Sequence, residues 1–499
     1  MVQRSKNYVR PTTASLTPIR RSCRGTTILN THWMKRPVTK RLFVAGSLLA
    51  MVASTALAED AAGDWSGLLA GQYHIVVHVA KDGAGHYKAT LESPDQGSFV
   101  LAADAVVTDP DHLSFTIPQI SARYTGLWDA QKKGWVGTWT QGGSIPLVLS
   151  RMTGHASEPA SPKRPQEEAI AAGHRPYRQQ EVTFDNASAG IKLAGTLSVP
   201  NGTGPFPVVI LIGGSGPGTR DENGFGHKLF LVLADALSRR GIAVLRYDKR
   251  GVGESGGDFA TATISDFAND AEAAMAFLKS RPEIAADHIG LIGHSEGGAV
   301  APMIAVRNSA ARFTVLMAGP GMRIGRLLNL QNARIAKASG VPEDEVAKKS
   351  AFFNKLYTDL AADKSGARAL SIAKADITQA VADNLIRPEN AEALARQVTS
   401  PWARQAFNYD PIPTLRALRT PVLVLNGSRD LYVPPEDNLG AIKQALKRNM
   451  DATIIELPHI NHMFQTAKIG TPAESIDIEE TIAPIALKLI ADWVVAHSS

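Results

Sequence analysis

At 499 residues the chain exceeds what one compact core accommodates, and its length suggests roughly two to four folding units. Hydrophobic residues at 44% and charged residues at 20% exclude a collagen-like or wholly disordered polymer. The formal charge of +6 arises in residues 1–58, which hold ten of the 53 Lys and Arg and none of the 47 Asp and Glu; the remainder is net −4, so neither nucleic acid nor an anionic membrane is an expected partner.

Taken in chain order, the first feature is a basic stretch from Met34 through Arg41, followed by the largely apolar run Leu42 to Ala53 and the small-residue triplet Ala56-Leu57-Ala58. This pattern predicts a signal peptide over 34–58 with Glu59 as the first mature residue, and residues 1–33 read as an extension upstream of a start at Met34. The apolar run is too short for a stable span, so a membrane anchor is the weaker reading and the mature chain is expected to be exported to the periplasm or beyond. The only cysteine, Cys23, lies ahead of the apolar run. A mature chain without thiols excludes disulfides, a cysteine nucleophile and thiolate metal sites.

Residues 59–152 consist of short runs such as Tyr73 to Ala80, Tyr87 to Ser93 and Leu113 to Ile117, separated by Gly, Asp and Pro, which predicts a small all-β domain. Trp65, Trp128, Trp135 and Trp139 are read as its core rather than as a carbohydrate platform. Residues 153–178, with Pro159, Pro162, Pro165 and Pro176 among polar residues, read as a linker. From 179 to 499 apolar runs alternate with amphipathic stretches, the pattern of a largely parallel sheet covered by helices. The expected strands are 191–199, 208–212, 243–247, 289–292, 314–317, 422–425 and 453–457, with helices at 228–240, 264–279, 297–307, 438–448 and 478–496. One helical segment, about 321–410, interrupts the alternation and reads as a cap. Its apolar residues Phe352, Phe353, Leu356, Tyr357 and Leu360 recur near helical spacing and form either a lid over a cleft or ordinary helix–helix core.

The chemistry is carried by Gly293-His294-Ser295-Glu296-Gly297, a G-x-S-x-G turn between an apolar strand and a helix start, which lifts the Ser295 hydroxyl out of the sheet. A serine hydroxyl is a poor nucleophile at neutral pH and needs a base, which itself needs an orienting acid. Asp430 follows the strand ending at Leu425, with Asp437 as its rival. Two histidines follow the last strand; His462 lies deeper in the loop than His459 and is the expected base. The oxyanion donors are expected to be the backbone N–H groups of Glu296 and of Ser215, with Gly214 as the alternative, from the loop Gly213-Gly214-Ser215-Gly216-Pro217-Gly218. That loop lacks the Lys-Ser/Thr ending of a phosphate-binding P-loop. The Gly-rich segment from Arg246 to Ser255 reads as structural.

These residues together resemble the bacterial α/β-hydrolase esterases of the EstD type, grouped with serine aminopeptidase-like hydrolases. The resemblance rests on Gly213 to Pro217 with Arg220-Asp221, on Asp248 to Ser255, on Gly293 to Gly298, on Asp430 and on Asn461-His462-Met463-Phe464. Gly63-Asp64-Trp65-Ser66-Gly67 and Trp139-Thr140-Gln141-Gly142-Gly143 match the amino-terminal β domain that many relatives carry. It implies an α/β-hydrolase fold with a helical cap, hydrolysis of small to medium carboxylic esters through an acyl-enzyme, and no cofactor. Two other functions compete. An aminopeptidase requires a carboxylate to hold the substrate ammonium, for which Glu343, Asp344, Glu345, Asp359 and Asp363 are candidates. A non-catalytic glycan- or partner-binding protein requires the triad to be inert.

Overall fold

The computed structural model describes residues 60–498 except 70–72, 94–96, 110, 118–119, 121, 141–143 and 153–162. The expected leader at 34–58 and Cys23 lie outside the described residues.

Period-two alternation in the amino-terminal part closes into an eight-stranded antiparallel barrel: β1 (Gly63–Leu69), β2 (Tyr73–Lys81), β3 (Tyr87–Ser93), β4 (Gly97–Asp109), β5 (His112–Ile117), β6 (Ala122–Asp129), β7 (Gly134–Thr140) and β8 (Ser144–Arg151). Closure comes from pairing of Trp65 with Arg151 and Ser66 with Ser150, which removes the exposed edges an open sheet would present. In β5, Leu113, Phe115 and Ile117 point inward and the intervening residues outward. Trp65, Trp128 and Trp135 meet with ring centroids 5.2 to 6.0 Å apart, and Trp139 is also buried. The tryptophans are thus core, as their spacing suggested.

The expected linker is folded over its second half. Helix α1 (Pro165–Ala172) begins there. Just ahead of it, Arg164 donates to the carbonyls of Gly226, Ile476 and Ile478, while Gln166 Oε1 accepts the N–H groups of Thr481 and Ile482. Strand β9 (Tyr177–Asn186) follows directly. Its polar pattern concealed it because it is an edge strand, with few of its side chains buried.

The second region is an eight-stranded sheet. Its strands are β9, β10 (Ile191–Pro200), β11 (Phe206–Ile212), β14 (Ala243–Tyr247), β15 (Ile284–His294), β16 (Ala311–Met317), β17 (Val422–Gly427) and β18 (Ala452–Leu457); a two-residue hairpin, β12 (Asn223–Gly224) and β13 (His227–Lys228), stands apart. The order across the sheet is β9-β10-β14-β11-β15-β16-β17-β18; β10 runs antiparallel to both neighbours, and β14 onward is parallel. Central strands read as continuous apolar runs because both of their faces are covered. One face packs on α3 (Ile264–Lys279), α4 (Gly297–Arg307), α10 (Pro411–Ala417) and α11 (Pro435–Ala445), the other on α2 (Leu229–Ser238) and α13 (Pro484–His497), with the short α12 (Pro472–Asp477) beside the last loop. Helix α3 starts where a reciprocal Thr263–Asp266 capping box satisfies its first donors.

Between β16 and β17, ahead of α10, the chain inserts α5 (Ile324–Ala338), α6 (Glu343–Ala362), α7 (Ala369–Ala382), α8 (Ala391–Val398) and α9 (Pro401–Asn408). Phe352, Leu356 and Leu360 pack on Ala373, Ile377 and Phe407, so the apolar face of α6 is the insertion's own core. Among the described residues no helix is long and apolar enough to cross a membrane.

Candidate active site

Parallel strands deliver their following loops to one edge of the sheet, and the expected site residues all sit in such loops at the ends of β11, β15, β17 and β18. Ser295 stands between β15 and α4 with φ of +53°, a left-handed conformation that a non-glycine residue adopts only under constraint. The constraint is visible: its N–H donates to Met317 O at 2.9 Å, and a Cβ on Gly293 would lie 2.0 Å from Gly297 O. Only glycine permits a bend this tight, which leaves the serine half-buried at the start of a helix.

Asp430 is buried beyond β17, and its carboxylate collects donors from every side. Oδ1 accepts the N–H groups of Tyr432 and Val433, each at 2.8 Å, and Oδ2 accepts Asn426 Nδ2 at 3.2 Å. His462 Nδ1 lies 2.9 Å from Oδ2 and 3.1 Å from Oδ1, a contact that favours the tautomer with its proton on Nδ1. The Tyr432 ring stacks on the imidazole with centroids 4.7 Å apart. The rivals stand elsewhere. Asp437 pairs with Arg334 of α5, and His459 is exposed, its own N–H bonded to Ser428 Oγ.

Ser295 is brought to His462 by neighbourhood: the ring of His294, the preceding residue, lies 4.8 Å from that of His462, and His294 Nε2 bonds His462 O at 2.9 Å. No hydrogen bond joins the Ser295 hydroxyl to the imidazole among the described residues. The loop after β11 also reaches the serine, since a Cβ on Gly214 would sit 3.1 Å from Ser295 Cβ. Gly214 is corrected as an oxyanion donor, because its N–H is taken by Glu222 Oε1 at 2.6 Å. The N–H groups of Ser215 and Glu296 have no internal acceptor among the described residues.

Sequence reasoning passed over the residues that brace these groups. His294 is fully buried between the Glu222 carboxylate (2.8 Å from Nδ1) and the His462 carbonyl, so both ring nitrogens face acceptors. Burial alone would lower its pKa, but the charge and hydrogen bond of Glu222 outweigh that and raise it, favouring an imidazolium. Lys249 and Trp402 converge on the Glu296 side chain. The carboxylates considered for ammonium recognition are engaged elsewhere. Glu343, Asp344, Glu345 and Asp359 pair with lysines on exposed helix faces, and Asp363 accepts the Arg368 N–H.

A sheet of this order, with a serine on a strained turn after its fifth strand, defines the α/β-hydrolase fold. Residues 227–466 match the family described as "Serine aminopeptidase, S33". Esterase EstD of Thermotoga maritima is 33% identical over 155 residues, 31% of this chain and 35% of its own. Esterase FrsA of Yersinia enterocolitica is 40% identical over 86 residues, 17% of this chain and 19% of its own. The chain therefore matches about a third and a fifth of the lengths of these curated relatives. Among solved structures, a Pyrococcus furiosus esterase superposes with a TM-score of 0.39 at 17% identity, covering 64% of this chain and 89% of its own. A hypothetical protein of Pseudomonas aeruginosa gives 0.41 at 17%, covering 65% and 95%. Over the matched segment the chain is similar to the serine aminopeptidase-like hydrolases and to Esterase EstD, the resemblance its motifs carried.

Proposed function

We propose that the protein is an exported serine hydrolase of small to medium carboxylic esters, working through an acyl-enzyme. The observation that carries this reading is the buried Asp430–His462 pair beside the strained Ser295 turn. His462 Nε2 takes the hydroxyl proton as Ser295 Oγ bonds to the ester carbon. The carbonyl electron pair moves onto oxygen, where the N–H groups of Ser215 and Glu296 receive it. Collapse of this adduct breaks the bond to the alcohol oxygen, which leaves with the proton from His462. Water, deprotonated by His462, then repeats the attack on the acyl-enzyme and releases the acid. Asp430 holds the ring and steadies the imidazolium throughout. The inserted helices act as the cap that shapes the acyl site, with Trp402 of α9 reaching Glu296 at the nucleophile turn.

Ser295→Ala tests the assignment. Turnover of p-nitrophenyl acetate should fall by about 10^4-fold or more, and covalent labelling by a fluorophosphonate should vanish, while the melting temperature stays near that of the unaltered protein. Retained labelling in this variant would remove Ser295 from the mechanism. Recovery of the labelled species from the exported fraction with Glu59 as its first residue is the outcome expected for the leader; a chain still carrying residues 34–58 would refute export by cleavage.

A further inference from the structure

The loop that follows β14, read from sequence as purely structural, sends one side chain to the catalytic edge. Lys249 is buried, and its Nζ donates both to Gly214 O and to Glu296 Oε2, the latter at 3.1 Å. The Phe267 ring lies 4.3 Å from the ammonium, so little water competes for those bonds. Glu296 is buried too, and its second oxygen accepts Trp402 Nε1 at 2.5 Å. On the other side of Gly214, the N–H is held by Glu222 Oε1, which is itself anchored to His294.

The carbonyl of Gly214 and the N–H of Ser215 belong to one planar trans peptide, in which the two bonds point in opposite directions. A donor fixed behind that carbonyl therefore fixes where the Ser215 N–H is aimed. Glycine at 214 is required by the close approach to Ser295, but it leaves the peptide free to rotate unless something holds it. Charges on both sides of Gly214 supply the hold: the Glu222 carboxylate fixes the N–H of the preceding peptide, and the Lys249 ammonium fixes the Gly214 carbonyl of this one. An ammonium on a carbonyl oxygen also polarises the amide and strengthens its N–H as a donor.

We propose that Lys249 is the positioning residue of the oxyanion hole, locking the Gly214–Ser215 peptide so that the Ser215 N–H faces the developing oxyanion. The proposal rests on the esterase reading above. It gives Glu296 two tasks in one residue, since its backbone N–H is the second oxyanion donor and its carboxylate anchors the lysine that aims the first. Trp402 ties that carboxylate to the inserted helices, so a displacement of α9 is felt at both donors.

The test uses the full chain and compares Lys249→Met, Lys249→Arg and the double variant Lys249→Met/Glu296→Gln, which leaves no unpaired buried carboxylate if the single change unfolds the protein. Each is assayed with p-nitrophenyl acetate and with the corresponding thionoester, whose sulfur profits little from an oxyanion hole. We expect Lys249→Met to lower kcat for the oxoester by about 10- to 100-fold with KM nearly unchanged, and to lower the oxoester-to-thionoester ratio by a similar factor. Lys249→Arg should recover part of that ratio. The double variant should show the same fall in ratio. A loss of kcat with the ratio unchanged, in the single or the double variant, would assign Lys249 to scaffolding and overturn the proposal. Failure of the esterase reading is seen separately, as turnover that survives Ser295→Ala.

Discussion

The barrel and the carboxyl edge of the sheet bury their interiors by opposite means. Inside the barrel the large buried side chains are Trp65, Phe115, Tyr124, Trp135 and Trp139, and the Tyr124 hydroxyl is satisfied by the Trp135 carbonyl. At the sheet edge the buried and partly buried groups are polar and ionisable pairs: Lys249 with Glu296, His294 with Glu222, His462 with Asp430, and Arg220 with Asp248. Buried charge is costly and gives little net stability against apolar residues of the same volume. Its concentration in one place marks a region shaped for chemistry, whereas the barrel interior is shaped for packing.

The largest effect that sharpens this contrast is expected at Asp430. Asp430→Asn keeps the side-chain shape but loses the charge that stabilises the imidazolium and selects the Nδ1–H tautomer, so kcat should drop by about 10^4-fold, or ~5.5 kcal/mol in the barrier. Steady-state kinetics on p-nitrophenyl acetate provide the check. A drop below tenfold would mean that the buried pair at the sheet edge is structural, and the contrast with the barrel would collapse.

Trp135→Ala makes the opposite change, opening a cavity in the barrel. Its expected cost is about 3–5 kcal/mol of stability, read by thermal or denaturant unfolding, with kcat per folded molecule unchanged. A parallel fall in kcat would show that the barrel participates in turnover.

A smaller effect separates two buried histidines. His227 of β13 faces Thr481 and the Ser475 carbonyl; burial, and then the nearby Arg164 charge, bring its pKa down to about 4. Between that value and the ordinary 6.5 the unfolded chain binds the proton and the folded chain does not. The contribution of His227 is therefore complete above pH 6.5 and is lost as the pH falls towards 4, by about 3 kcal/mol. His294 has the opposite sign: its raised pKa stabilises the fold below 6.5, and that contribution is lost as the pH rises through the folded value. Melting temperatures between pH 4 and 7 should decline towards acid, and His227→Gln should flatten the slope. An unchanged slope in that variant would assign the decline to other groups.

Much of the fold was legible because it is written in local periodicity. The strand 243–247 and the helices 264–279 and 297–307 match their expected bounds, since each is buried along its whole length, capped by its own residues, or started by a glycine turn. Strand β9 and helix α1 were hidden for the converse reason. Their stability comes from contacts such as those of Arg164 and Gln166, hundreds of residues away in sequence, and an edge strand shows too few buried positions to signal itself.

The sequence by itself determined which residue types stand at strand ends, and with them Ser295, Asp430 and His462 as candidates, because a turn motif and a strand boundary are local properties. Only the tertiary structure decided what surrounds them. It set Glu222 on the Gly214 N–H, Lys249 on the Gly214 carbonyl, His294 against His462 and Trp402 against Glu296. A hydrogen bond across a folded core depends on where two distant backbones come to rest, and no periodicity in either segment records its partner.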